Sequence, residues 1–176
     1  FIDANSGREV ALTNPYANGN AWFVEKVYPV ATANDELMKL KEINTKTDAL
    51  INKNEFTGFK QTYKLDSLAS ITLKAHKPNK LEYVSNNAND GLAIFSEMYY
   101  NNGWKAFIDG KEVSHMRANY LLRALPIPAG KHNITFQFDP EVVKRGSLIT
   151  LISSLLLFVL IICGIYFEFF RKKSHE

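Results

Sequence analysis

The longest hydrophobic stretch of the chain covers residues 148–167, which include no charged side chain. A helix of this length spans about 30 Å, the thickness of the hydrocarbon core of a bilayer. In lipid a helix satisfies its own backbone hydrogen bonds, whereas a helix buried in a soluble core normally keeps one polar face, which this stretch lacks. The pattern therefore predicts a single C-terminal transmembrane helix.

Upstream of this helix, apolar and polar positions alternate with a period of two, which is typical of strands with one buried face. The alternation is clearest over residues 71–75, 81–83, 92–99, 104–108 and 134–138. Asp109-Gly110 is a typical two-residue hairpin turn, and a Pro- and Gly-containing turn follows at residues 126–130. Short strands closed by such turns predict a mainly β fold, an antiparallel β-sandwich.

The first part of the chain has a mixed pattern. Residues 8–13 and 21–30 are predicted strands, and residues 49–51 are a shorter candidate. Thr32 and Asp35 have the spacing of a helix capping box, and Leu37, Leu40 and Ile43 follow at helical intervals. These positions predict one short amphipathic helix, ending near Thr45, whose apolar face covers the sheet.

The chain before the span is long enough for one soluble domain. We divide the sequence into a mixed strand and helix part, a β-sandwich core, a juxtamembrane linker, the transmembrane helix and a cytoplasmic tail, at residues 1–64, 65–140, 141–147, 148–167 and 168–176. The first two segments form one domain in this division.

Composition excludes several functions. The formal net charge is only +3, without a basic patch, so nucleic acid is not an expected partner. The single cysteine, Cys163, lies inside the predicted span, and the four histidines lack the spacing of metal ligands. There is no GxSxG elbow and no glycine-rich phosphate loop. We therefore predict no catalytic residue, no metal and no cofactor in this chain.

Basic and aromatic residues flank the predicted span. The expected membrane-interface residues are Lys144, Arg145, Tyr166, Arg171, Lys172 and Lys173. The larger basic cluster follows the span, which favours a cytoplasmic C-terminus and an extracytoplasmic soluble domain. Because Phe1 is not an initiator Met and no signal peptide follows it, we expect a longer chain whose earlier transmembrane helices carry the domain across. The alternative is a cytosolic domain with a tail anchor.

A few polar and aromatic residues of the strand region are candidates for binding a sugar or a lipid phosphate: Glu97, Trp104, Arg117, Asn119, Tyr120 and Arg123. Aromatic rings stack on the apolar faces of sugars, and arginine forms bidentate bonds to phosphate. The structural alternatives are that Trp104 belongs to the core, that Arg123 and Glu97 form a cross-strand pair, and that Asn119 is a turn or bulge residue.

Several ordered blocks of sequence carry a family resemblance: residues 14–23, 96–100, 103–111, 117–124 and 128–132. Together they resemble the C-terminal end of YfhO-type bacterial membrane proteins. This resemblance implies large polytopic proteins similar to the GT-C class of glycosyltransferases, which take sugars from polyprenyl-phosphate carriers, with some members implicated in glycosylating cell-envelope polymers. It also implies an extracytoplasmic β-domain before a last transmembrane helix in the bacterial cytoplasmic membrane.

The resemblance leads to a specific functional hypothesis. The GT-C class carries its catalytic carboxylate in an early loop that this chain does not contain, so we expect an accessory domain and membrane anchor without an active site. Its expected partners are the lipid bilayer, upstream transmembrane helices of the same chain, and a lipid-linked sugar or envelope polymer. The alternative is a membrane-tethered carbohydrate-binding or structural β-sandwich.

Overall fold

The computed structural model describes Asn14 and residues 16–173, with side chains as far as residue 167. The strand predicted at residues 8–13 lies outside this part. The strands are β1 (Ala21–Val24), β2 (Lys26–Val30), β3 (Asp48–Asn52), β4 (Ser70–Lys77), β5 (Lys80–Asn87), β6 (Gly91–Met98), β7 (Trp104–Ile108), β8 (Lys111–Val113), β9 (Met116–Ala118), β10 (Leu122–Ile127) and β11 (Gly130–Phe138). The helices are α1 (Ala33–Lys39), extended by a 3₁₀ turn (Leu40–Glu42), and α2 (Glu141–Lys173). The fold is mainly β with antiparallel sheets, which confirms the predicted class.

Two antiparallel sheets pack face to face. One has the order β4-β5-β11-β7-β8 and the other β1-β6-β10-β9. Between them lie Tyr83, Phe95 and Phe136, with ring centroids of Phe95 4.9 Å from Tyr83 and 4.8 Å from Phe136, in edge-to-face geometry. The alternating positions of the sequence supply this core, because each strand turns every second side chain inward.

A third layer covers the other face of the four-stranded sheet. It consists of β2 and β3, which pair in parallel, and α1. A second core forms here, in which Val27 and Ile51 of the third layer join Leu92 and Ile94 of β6. The strand β6 is therefore buried on both faces. The strand predicted at 21–30 is split, because the backbone N–H of Glu25 donates to the carbonyl of Thr47 (2.6 Å) and the chain changes sheets there.

The helix α1 begins as predicted but faces the protein differently. The backbone N–H of Asp35 donates to the Thr32 hydroxyl at 3.1 Å, which is the expected cap. The buried residue of α1 is Glu36, whereas Leu37 is 48% exposed. The predicted apolar inward face was thus wrong at Leu37. With its 3₁₀ extension the helix ends at Glu42, close to the predicted end near Thr45.

The helix α2 starts almost directly after β11. Residues 141–147, predicted as a linker, form its first turns, and the segment Glu141–Phe167 is long and apolar enough to cross a membrane. It is the only such helix within the described part of the chain. Its apolar side chains are exposed, with Leu148 at 57% and Phe158 at 61%, as expected for a helix that faces lipid.

Candidate functional site

A cavity of about 700 Å³ lies at the junction between the β-domain and α2. Its walls come from the turn between β6 and β7, the start of β7, the end of β11 and the first turn of α2. The lining residues are Tyr100, Asn101, Asn102, Gly103, Trp104, Lys105, Phe138, Asp139, Pro140, Glu141, Val142 and Val143.

Gly103 fixes the floor of this cavity. Its φ is 129°, and a Cβ at this position would lie 2.7 Å from Cε2 of Phe138 and 3.0 Å from Cβ of Pro140. The backbone N–H of Asp139 donates to the Gly103 carbonyl at 2.7 Å. The turn is therefore held against the entry to α2, and only glycine fits there without strain.

The cavity wall combines aromatic, amide and charged groups. The ring of Trp104 lies 5.4 Å from that of Phe138, and Tyr100 is half exposed. Asn101 and Asn102 add amide groups, and Lys105 adds an ammonium group. The wall also contains the carboxylates of Asp139 and Glu141, which pair with Lys144 and Arg145. Such a wall offers ring stacking, hydrogen bonds and one cation, the groups that bind a sugar or a phosphorylated headgroup.

Arg123 lies directly behind Trp104. Its guanidinium carbon is 4.1 Å from the Trp104 ring centroid and 5.1 Å from that of Phe136, and the residue is only 2% exposed. Nε donates to the carbonyl of Met98 at 2.9 Å, while Nη1 is buried without a hydrogen-bond partner. Burial lowers the pKa of Arg123, opposed by the charge of Glu97. We interpret Arg123 as the residue that holds the Trp104 ring in place.

Glu97 interacts most closely with a different partner. Its carboxylate lies 3.7 Å from Nε2 of His76. Among the described residues, no ion pair joins Glu97 to Arg123; the two interact only at longer range.

A second polar cluster surrounds the buried carboxylate of Glu36. Oε1 accepts from the backbone N–H of Tyr120 at 2.8 Å, and Oε2 accepts from Nη2 of Arg117 at 3.3 Å. Arg117 also contacts Glu55 at 3.2 Å. Burial raises the pKa of Glu36, opposed by the Tyr120 N–H and the Arg117 charge. This cluster ties α1 to the β9–β10 hairpin.

Asn119 performs a related task in the same hairpin. Its backbone N–H donates to the Leu50 carbonyl at 2.9 Å, and its side-chain oxygen accepts from the Leu50 N–H at 2.8 Å. Asn119 and Tyr120 both have positive φ, at 51° and 69°. Asn119 thus acts as a turn residue that also continues the pairing of β3.

Of the six predicted binding residues, Glu97 lies beside His76 and the other five fall into two groups. Trp104 alone among them lines the cavity, with Arg123 behind it. Arg117, Asn119 and the Tyr120 backbone belong to the Glu36 side of the domain. A ligand role for any of them stays a prediction.

Sequence reasoning did not select the other polar residues of the cavity wall, which are Tyr100, Asn101, Asn102, Lys105, Asp139 and Glu141. One signal was available: an aromatic pair at 99–100 followed by a turn of the form Asn-Asn-Gly. It could not show that α2 would complete the wall.

The predicted interface residues lie along α2. Lys144 pairs with Asp139 at 2.6 Å, and Arg145 pairs with Glu141 at 3.1 Å. Tyr166 is 56% exposed. Arg171, Lys172 and Lys173 are in the last turn of α2, and their side chains lie outside the described part.

Two smaller cavities, of about 270 and 390 Å³, lie at the opposite end of the sheets. They share Lys60, Tyr63 and Asp90, and the ammonium of Lys60 lies 3.2 Å from Asp90. This ion pair engages the two charged side chains that both cavities share, and Lys64 is a further cation in the wall of the larger one. Over the described residues, no group of three or more His, Cys, Asp or Glu side chains is arranged to hold a metal ion.

Comparison with known proteins gives one match. The family model described as "Bacterial membrane protein YfhO" matches residues 37–150, which covers the end of α1, all strands from β3 onward and the start of α2. No curated protein and no solved structure matches the chain.

Proposed function

This chain belongs to the YfhO family of bacterial membrane proteins, and from this premise we propose that it is the accessory domain and membrane anchor of a glycosyltransferase similar to the GT-C class. In this proposal the β-domain is extracytoplasmic and the C-terminus is cytoplasmic. The domain has no active site of its own. It holds a lipid-linked sugar or an envelope-polymer acceptor beside the catalytic part of a longer chain.

The observation that carries this proposal is the short distance along α2 between the junction cavity and the charge-free stretch of the helix. Residues 144–147 separate the cavity wall from the charge-free stretch of α2. In a helix they rise about 6 Å, and the headgroup layer on each side of a bilayer is about 5–8 Å thick. The cavity thus lies near the level at which a polyprenyl carrier presents its phosphate and sugar.

The chemistry of the cavity wall supports the same ligand class. Trp104 and Tyr100 are suited to stacking on a sugar ring, and Lys105 is suited to a phosphate. Arg123 holds Trp104 from behind, so the ring is positioned before a ligand arrives.

An insertion tests the positioning role. We expect that about twenty Gly and Ser residues placed after Asp139 in the full-length protein will reduce sugar transfer, because the cavity then loses its fixed height. Transfer of radiolabelled sugar from a polyprenyl carrier to the envelope polymer is the measurement. The same insertion in the exposed Asp109-Gly110 turn is the control and should leave transfer unchanged. Full activity with the insertion after Asp139 contradicts a positioning role.

One observation favours a second function, a tethered structural or carbohydrate-binding module. Arg117, Asn119 and Arg123 are all engaged in contacts within the fold. If these residues only stabilise the fold and the domain takes no part in transfer, deletion of the β-domain should leave sugar transfer by the full-length protein unchanged. A glycan array probed with the full chain then separates a carbohydrate-binding module from a structural one.

A further inference from the structure

We infer that the end of the β-domain next to α2 rests on the surface of the bilayer through a rim formed by the exposed Lys77, Met98, Tyr100 and Leu121 and the half-buried Lys105, which we name the membrane-facing rim. Its partner is the anionic headgroup layer of the same membrane that α2 enters. This contact does not require a ligand in the cavity, although Tyr100 and Lys105 also line it.

The apolar part of the rim is assembled from two strands. Met98 is the last residue of β6 and pairs with Leu122, the first residue of β10. The backbone N–H of Tyr99 donates to the Leu121 carbonyl at 2.7 Å. Met98, Tyr100 and Leu121 therefore lie at one end of the sheet, and Tyr100 shares the cavity wall with the first turn of α2.

The basic part of the rim comes from the other sheet. Lys77 ends β4, and the turn after it is held to the end of β11, because the backbone N–H of Phe138 donates to the Asn79 carbonyl at 2.9 Å. Lys105 pairs with Gln137 in the register of β7 and β11. Both lysines thus lie beside the strand end that leads into α2.

The exposure of the apolar side chains shows that the fold itself does not cover them. Met98 is 61% exposed, Tyr100 50% and Leu121 46%, and the apolar surface continues to Val142 at 81%. Large apolar side chains grouped at one end of a domain normally mark a contact surface. An aromatic ring, aliphatic groups and lysines together are typical of surfaces that lie in a headgroup layer.

The position of α2 selects the bilayer as the partner. The charge-free part of α2 begins at Leu148, so the first turns at residues 141–147 hold the domain end about 10 Å from the hydrocarbon. Side chains that point down from the rim can cover that distance into the headgroups. The membrane-facing rim is thus continuous with the exposed apolar surface of α2, which faces lipid.

A fluorescence experiment on the full chain tests the inference. In a Cys163→Ser background, Leu121→Cys carries an NBD label, and the protein is reconstituted into phosphatidylglycerol and phosphatidylcholine vesicles containing a doxyl-lipid quencher in both leaflets. The matched control is Leu68→Cys, which is 80% exposed and precedes β4, whose first residue pairs with Asn86 at the opposite end of the sheet. We expect severalfold stronger lipid quenching at position 121 than at 68.

Two results would overturn the inference. Equal lipid quenching at the two positions would show that the rim stands clear of the membrane. A label at 121 shielded from both the lipid quencher and aqueous iodide would show that protein, such as another helix of a longer chain, covers the rim instead.

Charge reversal tests the role of the lysines. Lys77→Glu combined with Lys105→Glu should at least halve the lipid quenching at 121 in the anionic vesicles, and added salt should weaken quenching of the unaltered rim. The control pair is Lys64→Glu with Lys131→Glu, which lie at the opposite end of the sheets. Quenching unchanged by the first pair would overturn the assignment of the lysines to the rim.

Discussion

The carboxylate of Glu36 accepts a hydrogen bond from the backbone N–H of Tyr120 at 2.8 Å across 84 positions of sequence. The Glu36 side chain is fully buried, so this bond and the contact with Arg117 stand in for the water that burial removes. The bond between Glu36 and Tyr120 joins α1 to the turn between β9 and β10.

Replacing Glu36 by Leu should lower the free energy of unfolding by about 1–3 kcal/mol, because the Tyr120 N–H loses its acceptor and Arg117 keeps only Glu55 as a partner. Chemical denaturation of the full chain in detergent is the measurement. Glu42→Leu, an exposed change in the neighbouring 3₁₀ turn, is the control and should stay within about 0.5 kcal/mol. Equal effects would show that the Glu36 contacts contribute nothing specific.

His115 should make stability fall in mild acid. Burial, with a smaller contribution from Arg123, lowers the pKa of His115 to about 4 from 6.5. The unfolded chain therefore binds the proton first, so this contribution is present above about pH 6.5 and is lost as pH falls towards 4. His115→Phe keeps a ring beside Tyr99 and Phe136 and should flatten the stability profile in that range.

His132 provides a control of opposite sign. A hydrogen bond to Asp109 raises the pKa of His132, so its contribution is present in mild acid, where Asp109 is still ionised, and is lost as pH rises through the folded-state pKa of His132. His132→Phe should therefore lower stability in acid relative to the unaltered chain. If both histidine variants changed the pH profile in the same direction, the assignment of His115 would be wrong.

Phe136→Ala should cost about 3–5 kcal/mol of unfolding free energy, because its ring is fully buried against Phe95 and Tyr83. Lys111→Ala, in the exposed β7–β8 hairpin, should change stability by no more than about 0.5 kcal/mol. Chemical denaturation midpoints of the two variants, compared with that of the unaltered chain, measure both changes. Similar losses would contradict the register of β11.

Gly103→Ala should destabilise the junction cavity. The φ of 129° is strained for alanine, and the added Cβ would lie 2.7 Å from the Phe138 ring, which is a steric overlap. Together they should lower the free energy of unfolding by about 1–3 kcal/mol or more. Gly110→Ala isolates the first effect, because its φ is 80° but nothing lies within 4 Å. In a Trp22→Phe background, the fluorescence of Trp104 should shift in the first variant only. A fluorescence shift in both variants would show that the shift does not report contact with the cavity.

The orientation of the domain is tested by cysteine labelling in the Cys163→Ser background. Asp109→Cys places a thiol in an exposed hairpin turn, and we expect an impermeant maleimide to label it in intact cells. A thiol engineered at Ser174 should require lysis. Labelling of position 109 only after lysis would favour the cytosolic, tail-anchored alternative.

The local predictions that the structure confirms concern residues that are close together in the sequence. The Asp109-Gly110 turn has φ values of 51° and 80°, and Thr32 caps α1, because both depend on a few adjacent positions. The parallel pairing of β2 with β3 was not predicted, since a short apolar run carries no information on its partner. The burial of β6 on both faces follows from that extra layer.

The sequence by itself determined the period of the strands, their turns and the apolar helix, because these depend on spacing within a few residues. Only the tertiary structure decided that Glu36 faces inward, that Arg123 stacks on Trp104 and that the entry of α2 completes a cavity. Each of these depends on groups brought together from distant parts of the chain. From the sequence alone a glutamate in a helix is expected to be exposed. Its burial is possible only because the fold brings a backbone N–H and an arginine to it as partners.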